Sequence, residues 1–148
     1  MTARSRRELL QTAAGLALIP FPAALAQEAD PALAAAIRDA VGDAEAEEGG
    51  IVIRAPAVAE NGSQVPVAVL VDSPMTATDR VEEIHIFATR NPTPGIASFR
   101  LGAGLARAEV HTRIRLAEDQ RILVLARHTN GRLRRAAAEL RVTTGGCV

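Results

Sequence analysis

The sequence contains one cysteine, Cys147, set behind Thr143-Thr144-Gly145-Gly146 and followed by Val148. A lone thiol has no internal disulfide partner. As a thiolate it can form a reversible bond to another sulfur, as a mixed disulfide or a persulfide. Gly145 and Gly146 put no side chain beside it and leave the backbone wide freedom, so such a tip suits entry into the narrow active-site channel of another enzyme. At about 3.3 Å per extended residue, the segment from Thr143 carries the sulfur on the order of 13 Å beyond the last strand. The terminal carboxylate disfavours the thiolate and no basic residue adjoins it in sequence. Activation therefore falls to a partner enzyme.

Other chemistries find less support. His85, His111 and His128 stand singly, without the close cysteine, histidine or carboxylate spacing of a metal site, and are expected in structural or surface roles. A Cys147–histidine pair for nucleophilic catalysis would need preorganisation that a residue next to the chain end lacks. Gly102 and Gly104 belong to no complete GxGxxG pattern and suggest a loop between strands. No metal and no cofactor is expected.

The elements that must position the thiol are mostly strands. Asp30-Pro31 has the form of an N-cap and first-turn proline, opening one amphipathic helix through Ile37 and Val41 that ends before Gly49-Gly50, with Glu45, Glu47 and Glu48 facing water. Short β-branched runs then predict seven strands: Ile51 to Arg54, Val65 to Val71, Val81 to Ala88, Ile96 to Leu101, Ala108 to Leu116, Arg121 to Ala126 and Leu133 to Val142. The last, rich in alanine, leucine and arginine, has helical propensity, but Asn130-Gly131 before it has the form of a hairpin turn. Asn61-Gly62 has the same form and predicts a second hairpin. His111, Arg113 and Arg115 alternate with Val110, Thr112, Ile114 and Leu116, as in a sheet with one buried side. Pro56, Pro66, Pro74, Pro92 and Pro94 are expected at strand edges or connections. The expected fold is all-β, an immunoglobulin-like antiparallel β-sandwich with a short N-terminal helix and a flexible C-terminal arm.

The chain opens with a different signature. Ser5-Arg6-Arg7-Glu8-Leu9-Leu10 pairs arginines ahead of apolar residues, an apolar stretch runs from Leu16 to Leu25, and Ala24-Leu25-Ala26 supplies small residues for a signal peptidase. This has the form of a twin-arginine signal, with the mature chain beginning near Gln27. The stretch is short of a span and broken by Pro20 and Pro22, so no stable membrane anchor is expected. The division is then 1–26 signal, 27–142 domain and 143–148 arm. All 17 basic residues are arginines, scattered along a chain of zero formal charge with three Phe, no Tyr and no Trp. Neither an electrostatic footprint nor a stacking platform for nucleic acid is present.

Four segments in this order carry a family likeness: Ala59-Glu60-Asn61-Gly62 leading into Val65-Pro66-Val67; Asn91-Pro92-Thr93-Pro94; His111-Thr112-Arg113-Ile114-Arg115-Leu116; and Gly145-Gly146-Cys147. Together they resemble the SoxY family, the sulfur-carrier subunits of bacterial thiosulfate-oxidising systems. The resemblance implies a sandwich paired with a second small β-sandwich subunit, SoxZ, and a terminal cysteine offered to a series of periplasmic sulfur-oxidising enzymes. Carried onto this chain, the substrate attachment residue is Cys147, and the protein is a carrier, not itself an enzyme. The family partner generally lacks its own signal, which agrees with export of a folded pair by the twin-arginine route. The family arm usually ends Gly-Gly-Cys-Gly-Gly, whereas Val148 follows Cys147 here. A β-branched residue and a carboxylate beside the thiol are expected to make the tip stiffer and more negative. The competing expectation is an immunoglobulin-like protein-binding module whose terminal cysteine is incidental.

Overall fold

The computed structural model describes residues 30–143. The signal expected over 1–26 and the Gly145, Gly146 and Cys147 end of the arm lie outside the described residues. The chain folds as helix α1 (Pro31–Val41) followed by strands β1 (Ala46–Glu48), β2 (Ile51–Arg54), β3 (Val58–Ala59), β4 (Val65–Val71), β5 (Val81–Ala88), β6 (Gly95–Arg100), β7 (Ala108–Ile114), β8 (Gln120–His128) and β9 (Leu133–Val142). They form an immunoglobulin-like β-sandwich with one short helix. One sheet runs β1-β9-β8-β5-β6 with β3 also on β9, and the other runs β2-β4-β7.

Alternation along β4 sets the interior. Val65, Val67, Val69 and Val71 point inward, while Pro66, Ala68 and Leu70 point out. The valines meet Ile84, Ile86 and Ala88 of β5, Ile122, Val124 and Ala126 of β8, and Leu140 of β9. These small branched side chains interdigitate between the sheets without any Trp or Tyr. Strand β8 is buried at five consecutive positions, Ile122 to Ala126. Its even residues face the other sheet, whereas Leu123 and Leu125 face helix α1.

Helix α1 caps that outer face because its apolar residues recur at helical spacing. Leu33, Ala36, Ile37, Ala40 and Val41 pack on Phe87, Leu123, Leu125 and Leu133. Asp30 Oδ1 accepts from the Ala32 amide at 2.9 Å, and the Gly42 amide returns to the Arg38 carbonyl at 2.8 Å. Arg127 Nη2 donates to the Ala40 carbonyl at 3.2 Å, satisfying one of the carbonyls that a helix end leaves free.

The seven expected strands are present, with ends shifted by a few residues. All pairings among them are antiparallel. Strands β1 and β3 are additional, and both lie parallel to β9. Glu47 and Glu48 are thus strand residues, still exposed as expected. Gly131, at φ 83°, turns β8 into β9, so the Asn130-Gly131 hairpin holds. Asn61-Gly62 makes no hairpin: β3 before it pairs with β9, and β4 after it pairs with β2 and β7. Asn61 Oδ1 instead accepts from the amide and hydroxyl of Ser63, forming an Asx turn that redirects the chain between sheets. Pro66 lies within β4, opposite Arg113, but beyond the last β2 pairing at Ala68, where its missing amide hydrogen costs nothing. Pro94 is buried, its carbonyl accepting the Ala88 amide at 2.8 Å.

The far end of the sandwich is tied down by a buried histidine. His128 is 1 % exposed, and its Nδ1 lies 2.9 Å from Asp79 Oδ1, while Arg132 Nη2 donates to Asp79 Oδ2 at 3.0 Å. A carboxylate only accepts, so Nδ1 carries the hydrogen. The His128 hydrogen bond, aided by the charge of Arg132 and opposed by burial, holds the Asp79 carboxyl below its ordinary value of 3.8. A depressed carboxylate adds stability that is complete above the unfolded-state value and disappears as pH falls through the folded-state value. In urea titrations the wild type should therefore exceed Asp79→Asn by a constant margin from about pH 7 to about pH 5, and the margin should close below about pH 4. A margin that grows on acidification would show that Asp79 is not held ionised.

Candidate functional site

Strand β9 delivers the arm, so the site begins where β9 ends. Val58 and Ala59 of β3 run parallel to Arg141 and Val142. The Arg141 amide donates to the Ala57 carbonyl at 3.0 Å, and the Thr143 amide to the Ala59 carbonyl at 2.9 Å. Thr143 Oγ1 donates to the same carbonyl at 3.3 Å. Between them the Val142 amide donates to Asp119 Oδ1 at 2.6 Å, a short charge-assisted bond. Three successive amides, those of Arg141, Val142 and Thr143, are thus held. Of the arm expected over 143–148, Thr143 is held in this way, and the remainder lies outside the described residues.

The segments that carry the family likeness converge on this root. The Leu116 amide donates to the Gly62 carbonyl at 2.8 Å. Gly62 sits so close to its neighbours that an added Cβ would collide with the Leu116 carbonyl oxygen and come within 2.7 Å of Val142 Cγ1. Only glycine fits there. Asn91 Nδ2 donates to the Arg115 carbonyl at 2.8 Å, and its Oδ1 accepts from the Ala117 amide at 3.0 Å and from Gln120 Nε2 at 2.8 Å. Gln120, 3 % exposed, accepts the Arg90 amide at 2.9 Å. Asn61-Gly62, Asn91 and Arg115-Leu116, distant in sequence, form one hydrogen-bonded platform under Val142 and Thr143.

An open hollow of about 710 Å³ lies at the platform, lined among others by Asn61, Gly62, Arg115, Leu116, Val142 and Thr143. Arg115 and Arg141 are exposed beside it and make no ion pair among the described residues. The arrangement can hold a chain end. Exposed charges of both signs stand beside it, since Glu60 lines the hollow together with Arg115.

The histidines are dispersed through the sandwich. His85, 7 % exposed, lies 2.9 Å from Ser98 Oγ and 3.4 Å from Glu83 Oε2. His111 is exposed beside Glu109 at 3.0 Å. His128 is at the end opposite the arm root, on Asp79. Among the described residues no group of three or more His, Cys, Asp or Glu could hold a metal ion. Asp119 is the root residue that sequence reasoning passes over, because a loop carboxylate carries no distinguishing pattern.

Two substitutions test the root. Gly62→Ala should destabilise the domain by about 1–3 kcal/mol through the forced displacement of Leu116 or Val142, measured by urea unfolding. Asp119→Ala should lower hydrogen-exchange protection of the Val142 amide by about tenfold, while Asp119→Asn, which keeps an acceptor, should retain most of it. Equal protection in all three proteins would remove Asp119 from the anchor.

The comparisons with known proteins accord with this geometry. The family model described as sulfur oxidation protein SoxY matches residues 37–147. A solved structure of the sulfur carrier protein SoxY from Chlorobium limicola f thiosulfatophilum is 35% identical, covers 75% of this chain and 96% of its own, and superposes with a TM-score of 0.63. Superoxide reductases share the fold alone. That of Ignicoccus hospitalis, neelaredoxin, is 18% identical over 64% of this chain and 81% of its own with a TM-score of 0.56. That of Nanoarchaeum equitans is 12% identical over 65% and 98% with a TM-score of 0.54. No curated protein matches the chain. With three quarters of its length matched by the family model, and the match running through the sole cysteine, the chain belongs to the SoxY family of sulfur oxidation proteins.

Proposed function

We propose that this protein is a periplasmic carrier that holds thiosulfate-derived intermediates covalently on Cys147 while partner enzymes act on them. The observation that carries the reading is the platform of Asn61-Gly62, Asn91 and Arg115-Leu116, built at the root of the segment that ends in Gly145-Gly146-Cys147. Loading joins the thiol to thiosulfate: RSH and S₂O₃²⁻ give R–S–S–SO₃⁻, one proton and two electrons, the electrons passing to a haem-containing partner. Hydrolysis by a metal-dependent partner then releases sulfate as hydrogensulfate, leaving R–S–SH on the carrier. A six-electron oxidation of the outer sulfur with three waters, the electrons passing to an electron-accepting partner enzyme, gives R–S–SO₃⁻ and seven protons, and a second hydrolysis releases hydrogensulfate and returns the thiol.

The four residues from Thr144 to Cys147 bound the reach beyond the anchored Thr143 at about 13 Å. That length suits entry into a partner's channel with the sandwich held outside. Arg115 and Arg141 favour an anionic adduct nearby, although exposure and salt screen this contribution. Among the described residues no helix is long and apolar enough to cross a membrane. In this reading residues 1–26 are a twin-arginine signal, the domain spans 27–142, and a SoxZ-like small β-sandwich subunit is exported with the folded chain.

The test is the intact mass of the protein from cells grown with and without thiosulfate, before and after reduction. A mature chain beginning near Gln27 and bearing a reducible sulfur adduct on Cys147 is expected only with thiosulfate. Cys147→Ser should lose the adduct completely while keeping the unfolding midpoint of the wild type. An unmodified thiol in the presence of the partner enzymes would favour a binding module with an incidental cysteine.

A further inference from the structure

Helix α1 covers one outer face of the sandwich, and the other outer face carries an ordered pattern of its own. The β2-β4-β7 register sets out rows across it: Val52, Leu70 and Glu109; then Arg54, Ala68 and His111; then Pro66 and Arg113 beyond the end of β2. The middle column is apolar, and its flanks carry Arg54 and Arg113 together with His111, whose Nε2 lies 3.0 Å from Glu109 Oε1. Val52 is 51% exposed. An open groove of about 610 Å³ crosses the last two rows, lined by Pro56, Pro66 and Ala68 together with Arg54, His111 and Arg113. No carboxylate lines it, and among the described residues neither Arg54 nor Arg113 makes an ion pair.

The groove's chemistry selects its occupant. Pro56 and Pro66 lack amide hydrogens, which disfavours an added strand on the β2 side of the groove, and the exposed side chains across it offer contact against the face. Arginines beside an apolar groove are solvated while exposed, but once covered they need anionic partners. A second copy of this chain, docked by a two-fold axis through the groove, would set arginine against arginine. The face also lies toward the arm root: Val65 pairs with Ile114 at this end of the sheet, and Leu116 two residues on bonds to Gly62.

We propose that this face seats a second, different protein subunit, one presenting an apolar patch bordered by Asp and Glu carboxylates. The proposal rests on the carrier reading, whose SoxZ-like subunit it places beside the arm root without covering Thr143. Both Ala68→Arg, which fills the groove with a charged side chain, and the double variant Arg54→Glu/Arg113→Glu, which changes only exposed side chains, should fold as judged by circular dichroism. Each should weaken binding of the co-expressed SoxZ-like subunit about tenfold or more, measured by size-exclusion chromatography and titration. Ala137→Arg, exposed on the outer face of the other sheet, should bind like the wild type. Wild-type affinity in the double variant would overturn the proposal, as would an isolated wild-type dimer that Ala68→Arg splits while subunit binding is unchanged. The Cys147 adduct reports separately: an adduct present with subunit binding untouched by the face variants would sink this surface and leave the carrier reading intact.

Discussion

The structure depends on burying the large sheet on both sides at once. Strands β5 and β8 supply side chains to two separate interiors, valines and isoleucines toward the facing sheet and Phe87, Leu123 and Leu125 toward the helix. Each fully buried aliphatic side chain contributes about 1.5–3 kcal/mol of transfer free energy. In a domain of little more than a hundred described residues with almost no aromatic content, that double use of the central strands replaces the large aromatic side chains other sandwiches bury. It also explains why a helix is retained in an otherwise all-β fold: without it, the apolar outer face of β8 would meet water.

The large sheet also holds the root of the arm. Strand β9 pairs with β8 from Leu133 to Leu140 and receives the short parallel strands β1 and β3 on its other side. Its last residues, Arg141 and Val142, lie past the end of the β8 pairing and are held by β3 and by the Asp119 carboxylate. Thr143, the last described residue, is held as well, and three residues separate it from Cys147 in the sequence.

Charge of both signs stands at each end. The Asp79, His128 and Arg132 contacts close the end of the sandwich away from the arm, and Arg115 and Arg141 stand at the arm root with Glu60 and Asp119. The superoxide reductases share this fold, and a shared fold does not by itself fix a function.

Much of this was legible from the residues alone. The period-two alternation of β4 and β7, the Asn130-Gly131 turn and the Asp30-Pro31 cap are local signals, each decided by backbone and side-chain preferences within a few residues. Strands β1 and β3 were not legible, because two- and three-residue strands have no periodicity and exist only where β9 offers them an edge. Asn61-Gly62 was misleading for the same reason: the dipeptide tolerates a hairpin, but the close approach of Leu116 and Val142 decided its use. Asp119 and the basic-rimmed groove were invisible, since both arise from residues tens of positions apart. Sequence determines which segments can be strands and where its one thiol stands, whereas only long-range packing decides which carbonyl, carboxylate and glycine meet at the root of the arm.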